Sequence, residues 1–238
     1  MIYVNAVSAA SSFGLGAEAI LTGLAAGRAP GMQRSEKWLL GGGAAWFGQM
    51  PEPLPALPAG FEREDTRNNR ALAACWTAEP RLARLLDAAD PARVAVVLGT
   101  STSGSDEADR FVSASLRGEA AKPFAGEAQE LGDPARFLAR YLGILGPAYT
   151  ISTACTSSAL AVMSAARLIR TGLADCAVAG GADTLARMPV NGFDALGALS
   201  RQLCRPFDEA RCGITIGEGA GLLWLSRAPS GVALLGWG

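Results

Sequence analysis

Residues 148–181 read AYTISTACTSSALAVMSAARLIRTGLADCAVAGG, and the change of period along them decides the fold. Ala148 to Thr153 has the pattern of a strand. Cys155 to Ile169 then has helical spacing but is apolar on nearly every face, through Ala159, Leu160, Ala161, Val162, Met163, Ala165, Ala166, Leu168 and Ile169. A helix that is hydrophobic all round is expected to be buried all round. Gly172 stops it, and Cys176 to Gly181 reads as a second buried strand. Strand, sharp turn, helix and strand in so few residues make a layered α/β unit with a largely parallel sheet.

Outward from this unit the alternation continues. Ile2 to Val7 is an opening strand that ends in the turn Ser11 to Gly14. Ala17 to Ala26 is a helix stopped at Gly27. From Gly41 to Pro58 glycine and then proline accumulate, which predicts an irregular surface excursion and not a linker between domains. Glu62 to Asp87 is helical with a break at Pro80. Arg93 to Leu98 is a β-branched buried strand leading into Gly99-Thr-Ser-Thr-Ser-Gly104. Polar residues dominate from there to Gly132. Pro134 to Leu142 is a helix, Asn191 to Leu199 a short helix, Ile214 to Leu225 strand-like and Val232 to Leu235 a last strand. The expected architecture is a five-stranded mixed sheet with the Cys155–Ile169 helix on one face and the other helices opposite.

Composition narrows the function. Half of the 238 residues are hydrophobic and only 18% are charged, so the chain has a large interior or hides surface against a partner. A net charge of −1 gives nucleic-acid binding no electrostatic support. Five cysteines at 75, 155, 176, 204 and 212 include no CxxC pair, which argues against a zinc site or a disulfide framework. No uncharged run is long enough to span a membrane and no signal peptide is visible. A soluble protein of the reducing cytoplasm, without metal, is the expectation. The sequence holds no histidine, so a Cys–His or Ser–His–Asp unit cannot be built from this chain alone.

Chemistry concentrates at Thr153-Ala-Cys-Thr-Ser-Ser158, where strand turns into helix. The first turn of a helix carries unpaired N–H groups and about half a positive charge, which favours a thiolate. The same N–H groups suit an oxyanion formed on a thioester carbonyl. A free cysteine more often only fills space, and Cys75, Cys176, Cys204 and Cys212 are assigned that role.

The longer stretches TACTSSALAVMSAARLIRTGLADCAVAGGADTLARMPVNGFDALGALS (153–200) and RPFDEARCGITIGEGAGLLWLSR (205–227) resemble the central block of the β-ketoacyl-acyl-carrier-protein synthases, enzymes of the thiolase fold. The resemblance is nearly gapless from Gly146 to Arg227. It extends more weakly to Val4–Gly14, Val94–Gly104 and Val232–Gly236, and covers about the first half of the family's usual length. It implies that residues 1–238 are a β-ketoacyl synthase N-terminal domain whose C-terminal half is absent.

Several expectations follow from the resemblance. Cys155 is the acyl-accepting nucleophile and its backbone N–H one oxyanion donor. The family's catalytic histidines, lysine and second oxyanion donor belong to the absent half. Thr102 and Phe193 match acyl-pocket positions, and threonine in place of a bulky gate implies a roomy pocket. Arg63 and Arg67, which with Arg70 recur along one helical face, match basic positions that dock the acidic acyl carrier protein. Glu218 matches a carboxylate near the catalytic residues, with a structural role in pairing with groups of the absent half. Arg211-Cys212-Gly213-Ile214 departs from the usual Arg-Asp-Gly-Phe. The implied reaction is condensation of acyl with malonyl carrier protein, without cofactor, in a homodimer or a heterodimer with a paralogue. Two competing readings are a non-catalytic ketosynthase-like partner module and a thiolase-fold acyltransferase acting on coenzyme A thioesters.

Overall fold

The computed structural model describes residues 1–120 and 124–236. The first part of the chain forms β1 (Ile2–Ser11), β2 (Gly14–Leu15), α1 (Ala17–Ala25), β3 (Met32–Ser35) and β4 (Ala45–Gly48). The helices α2 (Arg67–Ala78) and α3 (Pro80–Asp87), the strand β5 (Val94–Gly99) and the helices α4 (Ser105–Leu116) and α5 (Asp133–Leu142) follow. After them come β6 (Ala148–Ile151), α6 (Ser157–Arg170), β7 (Cys176–Asp183), α7 (Arg187–Ala195), β8 (Ile216–Gly217), β9 (Gly219–Ser226) and β10 (Ala233–Leu234).

The main sheet has the order β10-β1-β9-β7-β5-β6, with β2 paired to β1. It has seven strands where five were expected: β1, β5, β6, β7 and β9 have four residues or more, β10 falls at the last strand read from sequence, and β2, at the turn after β1, was not read as a strand. β6, β5 and β7 run parallel, in register Leu98 with Thr150 and Val97 with Ala179. β9 is antiparallel to both β7 and β1, so the sheet is mixed.

The two faces of β5 show why the sheet is covered on both sides. Val94, Val96 and Leu98 pack with Leu72, Trp76 and Leu82 of α2 and α3 and with Phe137 and Leu138 of α5. Ala95 and Val97 point the other way, onto Ala161, Ala165, Ala166 and Ile169 of α6. Successive strand residues face opposite sides, so a strand between two layers is apolar at every position. Small alanines let α6 lie close to the sheet, and burying Ile169 there contributes about 2 kcal/mol. α6 on one face and α2, α3 and α5 on the other are as predicted, whereas α4 and α7 contact each other.

Local signals explain where helices start and stop. The Thr66 hydroxyl accepts from Asn69 N–H at 3.2 Å and caps α2. Pro80 opens α3 at its first position, so the break read at that proline is a junction of two helices. Gly143, at φ 68°, closes α5.

Four other expectations are corrected. The α6 helix is buried on one face only: Leu160, Val162, Met163 and Leu168 are half-buried, and Ala159 and Arg167 are exposed. The sheet covers its inner side, and its outer side retains the apolar character that suggested full burial. The stretch Gly41–Pro58 is not merely a surface excursion, because β4 joins β3 and β8 in a second, three-stranded sheet. Ala45, Phe47, Met50 and Leu54 within it are buried. The polar stretch after Gly104 contains α4, whose Asp106 and Ala108 are buried. The short helix begins four residues earlier than read, at Arg187.

Candidate active site

The C-terminal ends of the three parallel strands lie side by side, Gly99 of β5 in register with Ile151 of β6 and with Gly181 of β7. Three segments leave this rim: residues 100–104, 152–156 and 184–186. Ligands of parallel sheets are bound at this end, where loops diverge from fixed strand ends.

The middle segment carries Cys155. After β6 the chain makes a 3₁₀ turn over Ala154–Thr156 that runs on into α6. Ala154 sits at φ 54°, in the left-handed region that a β-carbon disfavours, at a cost of about 1 kcal/mol or more. Side chains of the motif hold the turn. The Ser157 hydroxyl accepts from Thr153 N–H at 2.9 Å and donates to the Ala154 carbonyl at 2.6 Å. The Thr156 hydroxyl donates to the Thr153 carbonyl at 2.9 Å. Ser157 is buried, whereas Ser152 to Thr156 are exposed, Cys155 among them.

Two glycines the sequence reading did not single out seat this turn. A β-carbon on Gly99 would run into the Ser157–Ser158 backbone, and one on Gly181 into the Ser158 hydroxyl and the Gly99 carbonyl. The start of α6 therefore rests directly on the rim of β5 and β7, and Cys155 stands above it. Of the other thiols, Cys212 is exposed and Cys204 half-buried, so neither fills the core as expected, whereas Cys75 and Cys176 are buried. Burial pushes the Cys75 thiol up to about 12 and, with help from Asp175, that of Cys176 to about 11. Both are therefore unreactive at neutral pH.

Thr102 lies on the loop after β5 and is buried. Its neighbour in space is Asp183, which ends β7 and was not picked out from sequence. One carboxylate oxygen accepts from the Thr100 hydroxyl at 2.9 Å, Ser101 N–H at 2.7 Å, and both Thr102 N–H and the Thr102 hydroxyl at 2.9 Å. The other accepts from the Ser101 hydroxyl at 3.0 Å. The acidic residue after the two glycines of AVAGGAD, facing a Thr-Ser-Thr turn, was the available signal. Phe193 is half-buried on α7, a helix that packs against α4.

Glu218 is 8% exposed, and its partner is Arg67, in this same chain. Arg67 Nε donates to Oε1 at 2.7 Å and Nη2 to Oε2 at 2.6 Å, a bidentate pair. Met50 N–H and Leu185 N–H also donate to the carboxylate, at 3.0 and 3.3 Å. Arg67 Nη1 lies 3.0 Å from Glu52. Burial opposes the Arg67 charge, but the hydrogen bond and charge of Glu218 outweigh it and raise the guanidinium above its ordinary value. Two expectations are corrected here: Glu218 does not depend on an absent half for its partner, and Arg67 is not a free docking cation.

Arg63 does face solvent, with its side chain 74% exposed and 2.9 Å from Glu127. It borders a cavity of about 360 Å³ lined also by Arg110, Arg117, Phe111 and Phe124. Arg70 pairs with Asp65 at 2.5 Å, so the three arginines do not form one solvated row. Where the usual acidic residue is replaced, the Cys212 sulfur lies 3.4 Å from the Ser200 hydroxyl. Among the described residues no group of three or more histidine, cysteine or acidic side chains is placed to hold a metal ion, and no helix is long and apolar enough to cross a membrane.

Comparison with known proteins agrees with this geometry. The family model described as β-ketoacyl synthase, N-terminal domain, matches residues 58–230. The chloroplastic 3-oxoacyl-[acyl-carrier-protein] synthase I of Hordeum vulgare is 46% identical over 94 residues, 36% of this chain and 20% of that protein. The putative polyketide β-ketoacyl synthase 1 of Streptomyces cyaneus is 35% identical over 153 residues, 58% of this chain and 36% of that protein. A chain of the solved complex of a ketosynthase with its chain length factor, from Xenorhabdus doucetiae, superposes with a TM-score of 0.95 at 46% identity. That likeness covers 99% of this chain and 60% of the solved one. The ishigamide ketosynthase/chain length factor superposes with a TM-score of 0.80 at 27% identity, over 94% of this chain and 58% of that one. The chain thus spans about three fifths of these solved chains, and its matched segments a fifth to about a third of the curated relatives.

Proposed function

The chain belongs to the β-ketoacyl synthase family, and from that membership we propose that it is the nucleophile-bearing half of an acyltransferase that condenses acyl-acyl-carrier-protein with malonyl-acyl-carrier-protein. The observation that carries the proposal is Cys155, exposed on a braced turn at the head of α6 and above the ends of three parallel strands. The Cys155 thiolate attacks the acyl thioester, and the carrier's thiolate leaves. Malonyl carrier protein then loses CO₂, and its carbanion attacks the acyl group on Cys155. The bond to sulfur breaks, giving β-ketoacyl carrier protein and free Cys155. The Cys155 backbone N–H serves as one oxyanion donor for both attacks. The steps call for no metal or organic cofactor, and a free thiol suits a reducing compartment such as the cytoplasm.

Arg63 is the docking cation retained for the acidic carrier, supported by its exposure beside a cavity that Arg110 and Arg117 also border, together with Glu62, Asp65 and Glu107. Thr102 and Phe193 are proposed to line the acyl pocket. β6 ends the sheet next to Cys155, and all four of its residues are half-buried, which supports a second copy or a paralogue pairing on that edge. The half-covered face of α6 supports a further packing layer from the same protein or a partner.

With no histidine in the sequence, the chain by itself is expected not to decarboxylate malonyl carrier protein, since loss of even one oxyanion donor costs roughly 10²–10³ in rate. The same observation favours a second reading, a non-catalytic partner of a complete ketosynthase, and the solved relatives include ketosynthases with chain length factors. Mass spectrometry of the full-length protein after exposure to acyl carrier protein or acyl coenzyme A, with CO₂ release measured alongside, separates these readings. Acylation of Cys155 from carrier protein with CO₂ release supports the proposal. No acylation leaves the partner module, and loading from coenzyme A alone identifies the other thiolase-fold acyltransferase.

A further inference from the structure

We propose that Asp183 is a positioning residue that sets which acyl chains the enzyme accepts, by pinning Thr102 in one orientation; this rests on the reading of Thr102 as a pocket wall. The residue at that wall has a single side-chain torsion to choose, and two hydrogen bonds of its hydroxyl fix it, with a third from its backbone. The Thr102 hydroxyl donates to Asp183 at 2.9 Å and accepts from Thr184 N–H at 3.1 Å, while Thr102 N–H donates to Asp183 at 2.9 Å. With the oxygen held, the methyl group has one direction left.

The backbone beneath is fixed by the same carboxylate. The Thr100 hydroxyl donates to Asp183 and accepts from Thr102 N–H at 3.3 Å and Ser103 N–H at 3.0 Å. Ser103 stands at φ 44°, a left-handed conformation that this bonding stabilises. One carboxylate at the end of β7 thus ties the turn after β5 to the strand beside it. An apolar side chain at position 102 would have no such tether and could turn between rotamers to lengthen the pocket. Threonine, held by Asp183, makes a stationary wall. Among the described residues the hydrogen-bond donors to Asp183 are those of the turn itself, and their number suits a carboxylate over an amide.

The test is competition for Cys155 among acyl carrier proteins bearing short to long saturated chains, read by mass spectrometry on the full-length protein. Asp183→Ala and Thr102→Val should each raise loading of long relative to short chains, by about tenfold for loss of a hydrogen bond to a charged group. The double variant should go no further than either single, and Asp183→Asn, which retains one carbonyl acceptor, should fall between. Thr102→Phe, which fills the pocket, should shift the ratio towards short chains. If Thr102→Phe shifts the ratio but Asp183→Ala and Thr102→Val scale all chains equally or leave them unchanged, the positioning role is wrong and the pocket stands. If Thr102→Phe has no effect, or the native protein takes up no acyl group, the pocket reading fails and Asp183 loses its role with it. Should Asp183→Ala not fold, Thr102→Val, which keeps side-chain volume, decides the matter.

Discussion

Replacing Glu218 by alanine tests the buried pair that locks β8 and β9 to α2. The substitution removes two charge-assisted bonds from Arg67, at 2.7 and 2.6 Å, and the acceptor for Met50 and Leu185 N–H. Charge-assisted bonds contribute about 1.5–3 kcal/mol each, and breaking a buried pair by removing one partner costs about 3–5 kcal/mol. Glu52 remains 3.0 Å from the guanidinium, but its side chain is 66% exposed and compensates little. A loss of about 4 kcal/mol is expected, a large part of the 5–15 kcal/mol typical of a folded domain. In urea, at a slope of about 2 kcal/mol per molar, the midpoint should fall by about 2 M. Arg67→Met should be similarly severe because it strands the carboxylate. The double variant Arg67→Met with Glu218→Leu should be less severe than the sum, since an apolar pair leaves no uncompensated charge. A Glu218→Ala loss under about 1 kcal/mol, or an additive double variant, would refute a buried pair internal to this chain.

Two further outcomes are expected. Burial, against the opposing pull of Arg110, holds the Asp106 carboxyl at about 6, above the 3.8 of a free aspartate. The native state therefore binds more protons than the unfolded one across that window, so stability should fall as pH rises from about 4 to about 6, by about 2 kcal/mol. Asp133, also held at about 6 by burial, titrates in the same window, so Asp106→Asn should remove about half of the combined fall with pH, and an unchanged slope in denaturant melts at the two ends of the window would count against it. At mildly acidic pH, iodoacetamide should alkylate Cys155 first, and Cys75 and Cys176, both buried, last. Gly99→Ala should slow Cys155 by displacing the Ser157–Ser158 backbone beneath it, and peptide mapping that finds Cys75 or Cys204 modified ahead of Cys155 would sink the assignment.

Much of this protein was legible in the sequence because the relevant forces are local. The period of 148–181 set strand, turn, helix and strand, since apolar spacing along a short stretch fixes which face each residue presents. The cysteine at the turn stood out for the same reason, and the unbroken β-branched run up to Leu98 marked a buried strand, which the structure covers on both sides. The motif residues Thr153, Thr156 and Ser157 bond within five positions of one another, so their effect on the turn travels with the sequence.

What only the tertiary structure decided depends on residues far apart in the chain. Arg67 and Glu218 are 151 positions apart, and nothing near Arg67 distinguishes an arginine held at the edge of the core from one on a solvated face. Asp183 finds Thr100 to Thr102 across two parallel strands, more than eighty residues back. The strand β4 reads as loop because it gains its bonds from β3 and β8, the latter close to the other end of the chain. The open face of α6 reads as core because side-chain chemistry records a need for burial without naming what meets it. Periodicity encodes which faces shun water, whereas the identity of the group that covers each face, or neutralises each charge, is set only when the chain closes on itself.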